Sequence, residues 1–288
     1  MLGSYAFSLC GGPCAGSFLV RGSEMLQDLV KCADRAGIPF KVLGGMTNIL
    51  VSDEGFDGLV LFNRAGAVSH EEKDPAEILL TADSGVSMGT LVQYCSQHGL
   101  SGLEWAAGLP GTLGGAVYGN AGAFGSDMEH IFKGCSLLDE NGKVQRCGLQ
   151  DMGYSYRSSA LKENTEQKVL LEITLKLQKG EKERIKSKCS ENISIRREKQ
   201  PTDQHSLGSV FKNPEGESAG KLIQAAGLKG FSIGKAAVSM KHANFITTEK
   251  GVTSTDYYRL VKHVQETVYE QFSILLEPEI ELFGFGVK

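Results

Sequence analysis

Two glycine-rich segments carry the strongest chemical signal in the sequence. The first runs from Gly44 to Asn48 directly after an apolar stretch, and the second runs from Gly108 to Gly125. Glycine allows positive φ and lets the backbone approach a ligand closely, and few large side chains cover the amide groups here. Because converging amides bind anions, the segments predict a cradle for a phosphate-bearing cofactor. Tight turns between crowded strands are the structural alternative.

Neither segment has the spacing of the common nucleotide-binding fingerprints. A GxGxxG element between a strand and a helix does not occur, and no Gly-Lys-Ser/Thr follows a glycine loop. The sequence therefore favours a dinucleotide held by two separate loops over a Rossmann fold or a P-loop.

The elements that must position these loops alternate between short strands and helices, which predicts an α+β fold. Residues 40–43 read as a strand that enters the first glycine loop. Ser87 is a candidate N-cap of a helix that ends at Gly99. Further predicted elements are a hairpin turned by Asn141-Gly142, an alternating strand over 169–177, helices over 219–226 and 255–272, and a final strand over 280–283.

Composition narrows the class of protein. The chain has 288 residues, enough for about two domains, with 41% hydrophobic and 22% charged residues. A net charge of −4 argues against a broad nucleic-acid-binding surface. No apolar run reaches the roughly 20 residues that span a bilayer, and the start lacks a signal-peptide pattern, so we expect a cytoplasmic protein without membrane contact. The 6 His and 7 Cys show no metal-ligand spacing, which predicts no metal site and reduced thiols.

The order of the motifs resembles the UDP-N-acetylenolpyruvoylglucosamine reductase (MurB) family. Residues 42–51 and 108–116 resemble its FAD-binding loops, and 120–125 continue the match. The resemblance extends in the right order over nearly the whole chain, with further matching segments at 154–159, 209–214, 225–230, 241–246 and 276–279.

The resemblance implies a PCMH/vanillyl-alcohol-oxidase-type FAD-binding domain of two subdomains, followed by a C-terminal α+β substrate-binding domain. A charged run near Gly180 agrees with domains at 1–180 and 181–288, with the subdomain boundary near 66–76. FAD is expected to bind non-covalently. The implied cofactor-binding residues are Gly44, Gly45, Met46, Thr47, Asn48, Gly108, Pro110, Gly111, Thr112, Gly114, Gly115, Asn120, Ala121 and Gly122.

The family's activity implies that NADPH reduces FAD and that hydride then passes to the enolpyruvyl ether of a UDP-sugar, giving UDP-N-acetylmuramate for peptidoglycan. By resemblance Ser209 is the proton donor, and Arg157 and Glu279 flank the enolpyruvyl group. Without the resemblance, the three read as a surface arginine stacked on tyrosine, a turn serine and a strand-edge carboxylate.

An acidic protein needs concentrated positive charge to bind a diphosphate and a carboxylate. Arg196 and Arg197 are candidates, although a solvated helix face explains them and Lys199 equally well. The family places its phosphate and uridine contacts at Lys199, Lys212 and Asn213. The sequence indicates no oligomeric state.

The chain departs from the family pattern at three positions. Ala6 stands in a segment that usually carries a hydroxyl, Gly119 replaces a larger residue, and Glu281 lies where arginine is common. No extra substrate-capping loop is evident, which predicts the shorter type II form. Two alternatives stay open: a covalent-flavin oxidase of the same superfamily, and a UDP-sugar-binding relative without turnover.

Overall fold

The computed structural model describes residues 1–74, 76–139, 142–164 and 168–285. Its helices are α1 Ser23–Arg35, α2 Met88–His98, α3 Leu113–Tyr118, α4 Met128–Ile131, α5 Ala160–Glu163, α6 Lys182–Lys199, α7 Ala219–Ala225 and α8 Ser254–Phe272, with short 3-10 helices at Leu2–Ser4, Glu104–Ala106 and Gln150–Met152. None of these described helices combines the length and apolar composition needed to cross a bilayer.

The strands complete an α+β architecture, as predicted. They are β1 Cys14–Val20, β2 Phe40–Leu43, β3 Ile49–Val51, β4 Phe56–Asn63, β5 Val68–Asp74, β6 Glu77–Asp83, β7 Leu100–Ser101, β8 Gly122–Ala123, β9 Ser126–Asp127, β10 Phe132–Leu138, β11 Val144–Gly148, β12 Val169–Lys179, β13 His205–Ser209, β14 Ser232–Ile233, β15 Ala236–Val238, β16 Phe245–Thr248 and β17 Glu281–Phe283.

The chain forms two compact units. The first comprises residues 1–15, 46–57 and the chain from Arg196 onward, and the second comprises 16–45 and 58–195. The predicted domain boundary near residue 180 and the subdomain boundary near 66–76 stay predictions.

The second unit is organised around strand β12. Its side chains alternate between buried and partly exposed, with Val169, Leu171, Ile173, Leu175 and Leu177 buried. This alternation is the one predicted for residues 169–177 and is typical of a strand with one face on a core. Strand β12 pairs antiparallel with β10 and β6 in a sheet of order β11-β10-β12-β6-β5, with β7 also on β12.

The first unit packs helix α8 with a four-stranded sheet of order β13-β16-β15-β14. Tyr257, Leu260, Val261, Val264 and Val268 are buried at the spacing of one helical face. The helix predicted over 255–272 is therefore confirmed, starting one residue earlier.

Several local predictions agree with the structure. The Ser87 hydroxyl accepts a hydrogen bond from the Thr90 amide at 3.0 Å, and α2 ends at Gly99 with φ 71°. Strands β10 and β11 pair as a hairpin, although Glu140 and Asn141 of its turn lie outside the described residues. The last strand begins at Glu281, one residue later than predicted.

The start of α8 is held by a carboxylate from a distant loop. Asp53 accepts hydrogen bonds from the amides of Ser254 and Thr255, both at 2.8 Å, and from the Thr255 hydroxyl at 2.7 Å. Partial burial raises the pKa of Asp53, but the hydrogen bonds from Thr255 and Ser254 outweigh it and the pKa is lowered overall. Negative charge at a helix N-terminus is favourable, so the ionised form stabilises the first unit.

We predict that Asp53→Asn lowers the free energy of unfolding by about 1 kcal/mol at neutral pH, a typical value for a lost capping carboxylate that solvent screening keeps small. Because the folded pKa lies below the unfolded value of about 3.9, the contribution is complete above that value and is lost as pH falls through the folded pKa. Urea denaturation at about pH 7 and at about pH 3 measures the difference. Asp57→Asn, which removes an exposed carboxylate nearby, is the control, and an equal loss for Asp53→Asn at both pH values would contradict the assignment.

Candidate active site

Gly44, at the start of the first glycine segment, meets the second glycine segment inside the second unit. A Cβ on Gly44 would lie 2.2 Å from the Thr112 Oγ1, closer than real Cβ contacts allow. The Gly44 carbonyl accepts a hydrogen bond from Arg64 Nη1 at 3.0 Å. Gly44 and Thr112, predicted from sequence to bind one cofactor, are therefore in contact, and glycine is required at 44 because of that contact.

The second glycine segment packs against the backbone of Ser84. The Gly114 amide donates to the Ser84 carbonyl at 2.8 Å, and a Cβ on Gly114 would lie 2.9 Å from that oxygen. The Thr112 hydroxyl accepts from the Gly115 amide at 3.4 Å where α3 begins. The amides of Gly114 and Gly115 are thus used within the protein. This close packing agrees with the structural alternative of tight turns, and a cofactor cradle at this segment stays a prediction.

The first glycine segment presents unused backbone donors. Among the described residues, the amides of Gly45, Met46 and Thr47 have no hydrogen-bond acceptor. Successive unpaired amides form a concave anion-binding surface of the kind that binds phosphate. Met46 also has φ 51° although it is not glycine. Strained backbone of this kind is concentrated at functional sites.

Arg157 lies in the second unit beside the glycine segment. It occupies a tight turn closed by hydrogen bonds between Ser155 and Ser158, with φ 57°. Its Nη2 donates to the Gly122 carbonyl at 2.7 Å and its Nη1 to the Asn120 carbonyl at 3.5 Å. The guanidinium also lies 5.1 Å from the centre of the Tyr156 ring. The stacking expected for a surface arginine is present, together with contacts to the predicted cofactor segment.

Asn120 uses its side chain within the protein. Its amide nitrogen donates to the Ser155 carbonyl at 2.9 Å, and its oxygen accepts from the Glu129 amide at 3.1 Å. It is 2% exposed and has φ 44°. In this structure Asn120 therefore shapes the loop that contacts Arg157, and a contact from Asn120 to cofactor stays a prediction.

Ser209 and Glu279 are brought together in the first unit. The Glu279 amide donates to the carbonyl of Val210, the residue after Ser209, at 2.8 Å. Strand β13 carries an irregular register before Ser209, where Gly208 has φ 80°. Such bulges re-aim side chains next to active sites. Among the described residues the Ser209 hydroxyl makes no hydrogen bond.

Asn48, another predicted cofactor residue, is linked to the Glu279 segment. Its side-chain amide donates to the Glu279 carbonyl at 3.1 Å, and its own carbonyl accepts from the Glu281 amide at 2.8 Å. Glu281, one of the departures from the family pattern, is thus a strand residue whose backbone pairs with the end of the glycine loop.

The predicted substrate residues have distinct environments. Lys212 Nζ lies 2.6 Å from Glu277 Oε1 and its side chain is largely covered. Asn213 accepts a hydrogen bond from the Ala219 amide at 3.1 Å. Lys199 is exposed at the end of α6.

A cavity of about 390 Å³ in the first unit contains residues that the sequence analysis did not select. It lies between one side of helix α7 and the turn before β16, and it is lined by Ser218, Gly220, Lys221, Gln224, Ala225, Lys241, His242 and Ala243. The motif at 241–246 marked this segment, but the lysines are distant in sequence and only the fold brings them to one cavity.

His242 contributes a neutral donor to this cavity. Burial lowers the pKa of His242, its backbone hydrogen bond raises it, and the charge of Lys229 lowers it, so that the pKa lies below its usual value. Nδ1 accepts from the Asn244 amide at 3.3 Å. In the neutral ring the proton therefore resides on Nε2, and the positive charge of the cavity comes from Lys221 and Lys241.

The α+β fold with two packed glycine segments and free loop amides is that of a flavin-binding enzyme. Residues 15–148 match the family model described as an FAD binding domain, and the unbonded amides of Gly45, Met46 and Thr47 are donors that fit the phosphates of such a dinucleotide. The protein is an FAD-containing oxidoreductase.

Comparison with known proteins gives the family. Residues 200–283 match the UDP-N-acetylenolpyruvoylglucosamine reductase C-terminal domain. The reductase of Caldicellulosiruptor saccharolyticus is 40% identical over 95% of this chain and 87% of its own length, and that of Caldanaerobacter subterraneus is 40% identical over 95% and 89%. The crystal structure of the Thermus caldophilus reductase (MurB) superposes with TM-score 0.81 at 31% identity, covering 98% of this chain and 97% of that one. The chain belongs to the UDP-N-acetylenolpyruvoylglucosamine reductase family.

We predict that Gly44→Ala abolishes flavin retention while the protein stays folded, because the added Cβ displaces Thr112 from the first glycine segment. The ratio of flavin to protein absorbance, with far-UV circular dichroism as the folding check, measures the effect. Gly22→Ala, where a Cβ meets nothing within 4 Å, is the matched control. Thr112→Ala added to Gly44→Ala removes the clashing atom and should restore part of the flavin. Wild-type flavin content in Gly44→Ala alone would show that the contact does not control the cradle.

Proposed function

We propose that the protein catalyses the NADPH-dependent reduction of UDP-N-acetylglucosamine enolpyruvate to UDP-N-acetylmuramate, a precursor of peptidoglycan. The proposal is supported by family membership and by the two matched domains. The observation that carries it is the unbonded Ser209 hydroxyl on a bulged strand next to the Glu279 segment. In this proposal residues 1–180 hold FAD, residues 181–288 bind the UDP-sugar, and the reaction is cytoplasmic.

Bound FAD would supply the hydride for the substrate, after accepting it from NADPH. On the substrate, hydride addition to one alkene carbon leaves an electron pair on the neighbouring carbon, delocalised into the carboxylate. We assign Arg157 to stabilise that negative charge, since a fixed guanidinium binds a carboxylate with paired donors. Its hydrogen bonds to carbonyls on the Gly122 loop hold the guanidinium in one orientation.

We assign Ser209 to protonate the remaining carbon. The O–H bond breaks, a C–H bond forms, and the serine alkoxide then takes a proton from solvent. A serine hydroxyl is a weak acid, so its value lies in position rather than in acidity. The bulge at Gly208 and the bond from the Glu279 amide to Val210 support such positioning. We assign the carboxyl group of Glu279, in its protonated form, to donate a hydrogen bond to the developing negative charge or to relay the proton to the serine.

The cavity lined by Lys221, Lys241 and His242 is our proposed site for the diphosphate. Two ammonium groups and a neutral imidazole donor match an anion with many acceptor oxygens. Lys199, Lys212 and Asn213, taken from the family resemblance, are proposed to extend the contact toward the nucleoside.

We predict that Ser209→Ala leaves flavin reduction by NADPH near the wild-type rate but slows reoxidation by the enolpyruvyl substrate on the order of 10³-fold, because general acid catalysis is lost only in the second step. Stopped-flow flavin absorbance measures both half-reactions. Ser206→Ala, on the same strand, is the control and should behave as wild type. If Ser209→Ala is reoxidised at the wild-type rate, Ser209 is not the donor.

We predict that Lys221→Ala with Lys241→Ala raises the KM for the UDP-sugar about tenfold with little change in kcat, because phosphate contacts are equal in the ground and transition states. The salt dependence of KM should weaken at the same time. Steady-state kinetics at two ionic strengths give both values. Lys250→Ala, an exposed lysine of the same unit, serves as control, and an unchanged KM in the double variant would place the diphosphate elsewhere.

A further inference from the structure

A single buried asparagine holds the backbone that follows Ser209. Asn244 is 4% exposed, and its side chain makes both of its hydrogen bonds with Phe211. Its Nδ2 donates to the Phe211 carbonyl at 2.8 Å, and its Oδ1 accepts from the Phe211 amide at 3.0 Å. Its own carbonyl accepts from the Val210 amide at 2.9 Å. The Asn244 NH₂ group faces the Phe211 carbonyl, and the Asn244 oxygen faces the Phe211 amide. Only one orientation of the carboxamide therefore allows both hydrogen bonds.

The carboxamide acts where regular strand pairing stops. Strand β13 pairs with β16 at His205 and Ser206, loses register around Gly208, and pairs again at Ser209 opposite Phe245. Val210 still pairs with the backbone of Asn244, and at Phe211 the Asn244 side chain takes the place of a neighbouring strand. The hydrogen-bond ladder therefore continues past the point where backbone alone would end it.

The opposite edge of the same segment is also held. Glu279 donates its amide to the Val210 carbonyl, and the Lys212 amide donates to the Glu277 carbonyl, both at 2.8 Å. Residues 210–212 thus lie between Asn244 on one side and the Glu277 to Glu279 segment on the other. All of these contacts lie within the first unit.

We propose that Asn244 is a positioning residue for the protonation step. The Ser209 hydroxyl has no hydrogen bond of its own among the described residues, so the backbone determines where its oxygen can lie. Asn244 fixes that backbone two residues away, and it replaces the flexibility of a bulged strand end with a single conformation. The inference rests on the proposed role of Ser209 and adds a residue that does not touch the reacting atoms.

The role of Asn244 differs from ordinary core packing in its expected kinetic effect. A misplacement of about 1 Å can cost on the order of 10²-fold in rate. Asn244→Ala should therefore slow reoxidation by the enolpyruvyl substrate by roughly that factor, while flavin reduction by NADPH stays within about twofold of wild type. Asn244→Asp keeps the shape and the acceptor for the Phe211 amide but loses the donor, so it should slow the same half-reaction and serves if Asn244→Ala does not fold.

The decisive measurement combines these variants with Ser209→Ala in the flavin-loaded enzyme. If Asn244 acts through Ser209, adding Asn244→Ala to Ser209→Ala should slow reoxidation no further, within about twofold, because the group being positioned is already absent. Asn192→Asp is the matched control, since Asn192 is 1% exposed and donates to the Glu104 carbonyl, which has no proposed role. It should leave both half-reactions unchanged.

The outcomes separate this inference from the proposed function. Wild-type reoxidation in Ser209→Ala would overturn the role of Ser209 itself. Slow reoxidation in Ser209→Ala with wild-type reoxidation in the Asn244 variants would overturn only the positioning role. Equal slowing of both half-reactions by Asn244→Ala, or additive slowing in the double variant, would also overturn it, because either result indicates a general effect on structure.

Discussion

The close approach of the backbone at Gly44 to the side chain of Thr112 is the contact on which the packing of the two glycine segments depends. A single methyl group at position 44 would occupy the space of the threonine hydroxyl, which also begins helix α3. The same dense packing recurs where Gly114 lies against Ser84. Glycine at these places loses more conformational entropy on folding than other residues, but it allows the backbone to approach its neighbours closely. The resulting loops can present backbone amides instead of side chains.

Asparagine side chains carry out a related task at the proposed catalytic residues. The Asn48 side chain bonds to the backbone of Glu279 itself. The Asn120 side chain bonds to the backbone of Ser155, two residues before Arg157, and the Asn244 side chain bonds to the backbone of Phe211, two residues after Ser209. The carboxamide suits this role because it carries a donor and an acceptor without charge, so it can satisfy irregular backbone in a buried place. The backbone at or near each of these residues is therefore held by a carboxamide, and the Ser209 hydroxyl makes no hydrogen bond among the described residues.

Local signals were enough to predict much of the fold. The Ser87 cap, the alternation along β12 and the helix over 255–272 are each determined by residues close in sequence, and each was confirmed. The order of the motifs gave the family. The sequence analysis missed the cavity containing Lys221 and Lys241 because its walls come from segments separated by a hairpin. It also missed the hydrogen bonds of Asn244 to Phe211, because a side-chain bond to a distant strand leaves no spacing pattern in the sequence.

The parallel pairing of β17 with β3 joins residues near the end of the chain to the strand that follows the first glycine loop. During synthesis on the ribosome, Ile49 to Val51 emerge long before Glu281 to Phe283, so strand β3 lacks this partner until the residues between them have been made. Contacts of such sequence separation are slow to form. The first glycine loop therefore gains the contact between the Asn48 carbonyl and the Glu281 amide only after the whole intervening chain has been made, and a nascent chain arrested shortly before residue 281 cannot form it.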